Sequence, residues 1–156
     1  MDPETHRSVV RFAEYRDLEG VLQLYKELRP HDPELPAHDA DALWRELLDL
    51  PHIRVVVADV QGRLASTCLI ALITNLASAG RPFALIEHVV TLPQFRGRGL
   101  ARATLQHALD FAWSRNCCKV MLLSGMQRPE AHRLYESLGF RGDVERGFVI
   151  KPRSAT

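Results

Sequence analysis

A mostly apolar segment at residues 83–92 (FALIEHVVTL) leads into a turn that carries Gly97 and Gly99. Apolar residues then recur with helical spacing to about Arg115. Strands with nearly continuous apolar sequences are buried on both faces, so this segment is predicted to be a central strand. A strand, a glycine-rich turn and a long helix in direct succession restrict the chain to folds built around a covered sheet.

The rest of the chain alternates between patterns typical of strands and of helices. Further strands are predicted at residues 8–12, 53–60, 64–76, 119–123 and 148–150, and further helices at residues 18–28, 39–48 and 129–139. Asp17 stands where a side chain can cap the first helix. Hairpin-linked strands come first and crossover helices later. This order predicts an α/β (α+β) fold with a mixed sheet and helices on both faces, in one domain over residues 1–156.

The composition excludes several classes of partner. The chain has 20 basic and 19 acidic residues and a net charge of +1, so it lacks the broad basic surface that nucleic acids or anionic membranes attract. No run of 18 apolar residues is present, and residues 1–4 lack the features of a signal peptide. Three cysteines make a poor disulfide framework, and seven scattered histidines lack zinc-ligand spacing. We therefore expect a cytoplasmic protein with no metal, nucleic-acid partner or membrane partner.

The turn after the central strand has the features of an anion site. Gly97 and Gly99 allow backbone amides to approach a ligand without an intervening Cβ, and the following helix adds unpaired N–H groups and the positive end of its dipole. Together these groups suit a diphosphate, and three arginines add positive charge at the rim: Arg96, Arg98 and Arg102. The turn lacks the third glycine of a Rossmann fingerprint and the Gly-Lys-Ser/Thr of a P-loop. The alternative is a glycine-rich turn that only begins a helix.

Three motifs in order resemble the GNAT superfamily of acyl-CoA N-acyltransferases. Residues 94–101 (QFRGRGLA) match its Q/R-x-x-G-x-G/A pattern, residues 86–91 look like its central strand, and residues 130–140 look like its A-x-x-L-Y-x-x-x-G-F helix. The resemblance implies the GNAT fold, with a mixed central sheet of six to seven strands flanked by about four helices. It also implies acetyl-CoA as the co-substrate and no metal.

The same resemblance assigns the residues that contact coenzyme A. The amides of the glycine turn would bind the pyrophosphate, and backbone groups at the end of the strand would pair with the pantetheine arm. The implied contacts are Val89, Val90, Thr91, Gln94, Arg96, Gly97, Arg98, Gly99, Leu100, Ala101, Arg102 and Arg128. Arg128 departs from the pattern, because many members have asparagine there, so that contact would be lost or replaced by a charged one.

Tyr135 is the candidate proton donor for the departing thiolate. It shares a helical face with Ala131, Leu134 and Leu138, so its ring can pack while its hydroxyl points into a cleft. The resemblance places this tyrosine near the thioester sulfur. The alternative is a core tyrosine whose hydroxyl has found a partner.

Glu87 is the candidate base or amine anchor. It interrupts the apolar strand, where a carboxylate without a partner would be costly to bury. The alternative is an ion pair with an arginine. Regular alternation puts Glu87, Val89 and Thr91 on one face and His88 on the other, so Glu87 and His88 are expected to differ in role. We expect His88 to be a hydrogen-bonded core or edge histidine.

The expected acceptor is a primary amine of a small molecule, bound by the first two helices and the proline-rich loop between them. The candidate pocket residues are Tyr25, Arg29, His31 and Asp32, with Glu87 at the floor. Arg29 can equally be a solvated surface charge. Residues 86–90 and 116–120 resemble, more loosely, glucosamine-phosphate N-acetyltransferases, in which an acidic residue stands at the position of His88. An amino-sugar acceptor is therefore compatible with the sequence.

Two other functions stay open on the sequence alone. One is a non-catalytic sensor that binds acyl-CoA on the same fold, because fold does not fix function. The other is N-acetylation of peptides or proteins in an open groove. Homodimers are common among proteins with this resemblance, so the resemblance is compatible with a homodimer.

Overall fold

A computed structural model describes residues 7–154. Within this range the chain divides into two compact units, which meet in sequence between Leu122 and Leu123. Residues 1–4, considered above for a signal peptide, lie outside the described range. The expectation of one domain over residues 1–156 stays a prediction. No helix in the described range is long and apolar enough to cross a membrane.

Within residues 7–154, the first unit contains five strands and three α-helices, and the second contains one α-helix. In chain order they are β1 (Ser8–Phe12), α1 (Leu18–Leu28), α2 (Ala37–Asp49), β2 (Ile53–Val60), β3 (Arg63–Ile73), β4 (Phe83–Thr91), α3 (Leu100–Ser114), β5 (Val120–Leu122) and α4 (Pro129–Ser137). The predicted order of these elements is confirmed. β3 ends three residues before its predicted end because Asn75 begins a turn, in which its side chain accepts from the Ala77 amide and donates to the Arg81 carbonyl.

The sheet is mixed, with the strand order β1-β2-β3-β4-β5. The first four strands are antiparallel neighbours, and β5 pairs with β4 in parallel. The predicted hairpin joins β2 to β3, with Gln61 and Gly62 both at positive φ (53° and 84°), as a type I′ turn requires. β4 therefore lies between two strands, as its apolar sequence predicts.

The predicted number of six to seven strands is wrong for the described residues, whose sheet has five. The expected strand at residues 148–150 does not form. Phe148, Val149 and Ile150 are 87%, 67% and 97% exposed, so no face of this segment is covered. A strand needs a hydrogen-bonded neighbour and a packed face, and apolar residue types alone supply neither.

Side chains of β2 alternate between the two faces of the sheet. Val55 and Val57 pack with Leu24 of α1 and Trp44 of α2. Ala58 and Val60 pack on the opposite face with Leu100 of α3. The helices of the first unit therefore cover both faces, which confirms the expected layers.

A charged contact joins β1 to the start of α1. The Arg11 guanidinium donates to both Asp17 carboxylate oxygens, at 2.6 and 3.0 Å, and the Glu14 amide donates to the same carboxylate at 2.7 Å. Asp17 occupies the N-cap position, but its side chain makes no cap bond to the helix and serves this ion pair instead. Burial opposes its charge, but the hydrogen bonds from Arg11 and Glu14 outweigh that effect and lower the Asp17 pKa.

We expect Asp17→Asn to lower the free energy of unfolding by about 2 kcal/mol at neutral pH, because Asp17 is 6% exposed and loss of its carboxylate leaves Arg11 paired with Asp59 alone, at 3.4 Å. A carboxyl with a lowered folded-state pKa stabilises above its unfolded value of about 3.9 and loses that contribution as the pH falls. The difference between wild type and variant should therefore shrink below about pH 4. Urea unfolding of the wild type and the variant at several pH values measures this difference in the free energy of unfolding. Arg16→Gln, in an exposed pair with Glu14, is the control and should change little.

Candidate active site

β4 loses one of its two neighbours halfway along its length. Its parallel pairing with β5 runs from Ala84 opposite Val120 to Ile86 opposite Leu122 and then stops. Pairing with β3 continues to Thr91. Past Ile86, in the described chain, one edge of β4 therefore has no strand partner, and its backbone groups can pair with an extended ligand.

The backbone direction at the end of β4 identifies groups on this open edge. The Leu92 amide donates to the Ala65 carbonyl on β3 at 2.9 Å. Because backbone groups alternate along a strand, the Thr91 carbonyl points the other way, and the Arg96 guanidinium donates to it at 3.2 Å. Thr91 and, two residues earlier, Val89 therefore have the orientation expected for pairing with a pantetheine arm.

A β-bulge interrupts β4 at the same place. Leu69 pairs with Glu87 and Thr67 pairs with Val90, so two residues of β4 lie opposite Cys68 alone. The first of the two, His88, has φ 57°, in the left-handed region. An extra residue of this kind bends the strand and changes the faces to which the following side chains point.

The bulge overturns the expected alternation of faces. Glu87 pairs with Leu69, which packs against the α1 and α2 core, and Val90 belongs to that same core. Thr91 instead points to the α3 face, where its hydroxyl lies 2.8 Å from that of Ser66. The expectation that Glu87 and Thr91 share a face is wrong, because regular alternation does not survive an inserted residue.

The structure brings His88 and Glu87 together beneath α1. The His88 ring lies 5.0 Å from the Tyr25 ring, centroid to centroid. Burial lowers the His88 pKa, the charges of Glu87 and Asp32 raise it, and that of Arg29 lowers it further. The charges of three residues predicted for the acceptor pocket therefore act on the pKa of the imidazole. The expected hydrogen bond of His88 is wrong, because no hydrogen bond to its ring nitrogens is present among residues 7–154. Residue spacing also gives no sign of the left-handed backbone at this position.

The other predicted pocket residues differ in exposure. Tyr25 is half-buried, and burial raises the pKa of its hydroxyl. Arg29, His31 and Asp32 are exposed at the end of α1 and in the loop that follows. Glu87 is half-buried and has no ion pair with an arginine among residues 7–154. The alternative of a structural ion pair therefore has no support in the described chain.

The glycine turn has the backbone geometry that an anion site needs. Gly97 and Gly99 both have φ 76°, which side chains of other residues rarely adopt. The first hydrogen bond of α3 runs from the Ala103 amide to the Gly99 carbonyl, so the Leu100 and Ala101 amides precede the helical ladder. Backbone donors and the positive end of the α3 dipole thus coincide at this turn.

The rim arginines are exposed, and the contacts of Arg96 and Arg98 involve the groups around the turn. Arg96 also lies 3.4 Å from Glu27 of α1, and Arg98 donates to the Gln94 carbonyl at 3.2 Å. Arg102 is exposed on the first turn of α3. These contacts position the Arg96 and Arg98 side chains. The sequence predicted only that they add positive charge at the rim.

The second unit carries the predicted tyrosine helix, α4. Tyr135 is 7% exposed, and its ring lies 6.1 Å from that of Phe140. Gly139, at φ 97°, ends the helix, and the Phe140 amide donates to the Tyr135 carbonyl. Arg128 is exposed at the N-cap of α4 and makes no side-chain cap bond. The tyrosine, glycine and phenylalanine of the sequence motif therefore form one structural unit.

A profile of the acetyltransferase (GNAT) family matches residues 18–140. The chain belongs to the GNAT family. The match includes β4, the glycine turn and α4. The resemblance seen in the sequence is therefore confirmed, and the protein is an acetyltransferase.

Two comparisons cover most of this GNAT chain, one with a relative found by sequence and one with a solved structure. A glucosamine 6-phosphate N-acetyltransferase of Trypanosoma brucei brucei is 32% identical over 128 residues, which cover 79% of this chain and 84% of that protein. A solved structure of a putative acetyltransferase from Agrobacterium tumefaciens str. C58 is 42% identical, with a TM-score of 0.87, and the match covers 92% of this chain and 99% of that one.

One further similarity has a lower sequence identity, and another covers a shorter part of the chain. An aminoglycoside N-acetyltransferase solved in complex with CoA shares the fold, with a TM-score of 0.81, 20% identity and coverage of 98% of this chain and 99% of that one. The N-acetylaspartate synthetase of Rattus norvegicus is 46% identical over 48 residues. That match spans 31% of this chain and 16% of the synthetase.

The left-handed conformation of His88 predicts a difference between substitutions. Asparagine tolerates φ near 57°, whereas a β-branched residue does not, and the left-handed region costs an ordinary residue about 1–2 kcal/mol. His88→Val should therefore unfold at lower urea concentration than His88→Asn, by about 1–2 kcal/mol in free energy. Equal stabilities of the two variants would contradict the bulge.

Proposed function

We propose that this GNAT protein transfers the acetyl group of acetyl-CoA directly to a primary amine of a small molecule. The observation that carries the proposal is the open edge of β4 between the glycine turn and the Glu87–His88 bulge. An acyl donor that extends along this edge would have its phosphates at the turn and its thioester near the bulge. Direct transfer within a ternary complex needs no covalent acyl-enzyme.

The chemistry of the first unit supports acetyl-CoA as the donor. Gly97 and Gly99 leave open space where a Cβ would lie, and the Leu100 and Ala101 amides point out of the α3 ladder. A pyrophosphate accepts hydrogen bonds from such amides and gains from the helix dipole. The CoA complex of an aminoglycoside N-acetyltransferase with the same fold supports this choice. Arg96, Arg98, Arg102 and Arg128 are proposed to meet the phosphates.

Two side chains are proposed to act on the reacting groups. The half-buried Glu87 carboxylate lies on the face covered by α1 and α2, where it can hold an ammonium group. Tyr135 is proposed to donate a proton to the departing thiolate, on the match of its helix to the family motif.

An amino sugar is the acceptor class that we propose. The T. brucei relative named glucosamine 6-phosphate N-acetyltransferase supports it, as does the aminoglycoside enzyme of the same fold. Tyr25 offers an aromatic face for a sugar ring, Asp32 and Glu87 offer acceptors for an ammonium group and hydroxyls, and Arg29 offers a donor for an anionic substituent.

A panel of amines tests the proposal. Purified protein is incubated with acetyl-CoA and glucosamine 6-phosphate, glucosamine, an aminoglycoside, spermidine or an N-terminal peptide, and free thiol is measured. We expect turnover with one or more amino sugars. Turnover with the peptide alone would replace the small-molecule acceptor, and acetyl-CoA binding without turnover of any amine would favour a sensor.

Gly99→Asp tests the pyrophosphate site. It adds a carboxylate where two phosphates are proposed, so acetyl-CoA affinity should fall at least about tenfold, or ~1.4 kcal/mol, in calorimetric titration. Gly80→Asp is the matched control, because Gly80 is an exposed glycine with φ 75° at the opposite end of β4. Gly99→Asn separates the charge from the side chain. Unchanged affinity in folded Gly99→Asp would exclude the turn from the cofactor site.

Tyr135→Phe tests the proton donor. The variant keeps the ring packing with Phe140 and removes the hydroxyl, so kcat should fall about 10²-fold with acetyl-CoA affinity nearly unchanged. Tyr15→Phe, which removes an exposed hydroxyl that donates to Asp41, is the control. An unaltered kcat in Tyr135→Phe, with chemistry rate-limiting, would return Tyr135 to a packing role.

A further inference from the structure

The bulge in β4 presents a histidine that the functions assigned above do not use. His88 is half-buried, its backbone is fixed in the left-handed region, and its ring lies against Tyr25. Among residues 7–154 no hydrogen bond to the ring nitrogens is present. A positioned imidazole with unengaged nitrogens, beside a carboxylate on the same strand, can exchange a proton with a bound molecule.

We infer that His88 is the base that takes the proton from the ammonium group of the acceptor, while Glu87 holds that ammonium group and tunes His88. This inference rests on the proposed acetyl transfer. It replaces a single carboxylate with two side chains that divide the work. Glu87 binds the cation, and neutral His88 accepts the proton.

The surroundings of His88 favour a neutral ring at physiological pH. Burial lowers its pKa from the ordinary value of about 6.5, and Arg29 at the end of α1 lowers it further. Glu87 on β4 and Asp32 in the loop after α1 act in the opposite direction without restoring the ordinary value. Tyr25 faces the ring as a neutral phenol, because burial raises its pKa.

The position of His88 depends on the bulge. In a regular strand His88 would face away from Glu87, towards α3. The inserted residue puts the ring against Tyr25, on the face where Glu87 and the α1 core lie. The two side chains can therefore meet the same ligand nitrogen from neighbouring positions.

The proposed step balances in protons and electrons. The ammonium group gives one proton to a ring nitrogen of neutral His88 and becomes an amine with a free electron pair. That pair forms a C–N bond to the thioester carbonyl, and the C–S bond breaks with its electrons on sulfur. The nitrogen releases its second proton to solvent, the sulfur gains a proton from the Tyr135 hydroxyl, and the Tyr135 oxygen recovers a proton from solvent. His88 then returns its proton to solvent.

His88→Asn is the central variant, because asparagine keeps the left-handed backbone and cannot act as a base. We expect kcat/KM at neutral pH to fall about 10²-fold and the acidic limb of its pH profile to vanish. His52→Asn, which changes an exposed histidine before β2, is the matched control and should leave both unchanged. In the wild type, the pKa that describes the acidic limb of kcat/KM should be the same for two acceptors whose amine pKa values differ.

Glu87→Gln separates the two side chains. Loss of the Glu87 charge should lower the His88 pKa, so the acidic limb should move to lower pH and persist, while KM for the amine rises. The imidazole proton resonance of His88, titrated by NMR without substrates, should show the same downward shift. The inference is supported if the NMR pKa of His88 equals the pKa of the acidic limb of kcat/KM in both the wild type and Glu87→Gln.

Three results would overturn it. The first is an acidic limb of kcat/KM that is retained in folded His88→Asn, and the second is a limb whose pH follows the amine pKa of the acceptor. The third is a limb that Glu87→Gln abolishes while the NMR pKa of His88 does not move. Each of these removes His88 as the base. These outcomes require an active wild-type enzyme and leave acetyl transfer standing. If the wild type acetylates no amine in the panel, the proposed function itself fails, and the role of His88 fails with it.

Discussion

The one-residue bulge opposite Cys68 determines what the central strand presents to each side of the sheet. Before the bulge, β4 is an ordinary internal strand between β3 and β5. After Ile86 it pairs with β3 alone, and the glycine turn lies between Thr91 and the start of α3 at Leu100. An open backbone edge and an anion site therefore follow one another along a single segment. The same bulge puts Glu87 and His88 beneath α1.

Such a bulge needs a rigid frame, because an inserted residue weakens the local ladder. The frame is the antiparallel sheet, whose β2 and β3 side chains pack under α1 and α2 on one face and under α3 on the other. A left-handed histidine is unfavourable in isolation and persists only where the surroundings hold it. Its place beside the open edge fits the general concentration of backbone strain at functional sites.

The charged side chains of the first unit differ between the glycine turn and the α1 face of the bulge. Arginines gather around the glycine turn, where Arg96 links the Thr91 carbonyl to Glu27 of α1. The α1 face of the bulge instead carries Glu87 and Asp32, with Arg29 nearby. A donor rich in phosphate and an acceptor with a cationic amine would therefore be drawn to different sides of β4.

The sequence alone determined the family, the order of helices and strands, and the glycine turn. These follow from local spacing, backbone requirements of glycine and apolar runs, which each segment expresses without its neighbours. It also singled out Glu87 and Tyr135 by residue type and motif.

Only the tertiary structure decided the register of β4 on β3, and with it the face of every residue from His88 to Thr91. Register depends on pairing between distant segments, and a bulge changes it by one residue without altering the hydrophobic pattern. The same reason explains why residues 148–150, apolar enough for a strand, form none among the described residues: strand formation requires a neighbour with open hydrogen bonds, which residue type does not provide.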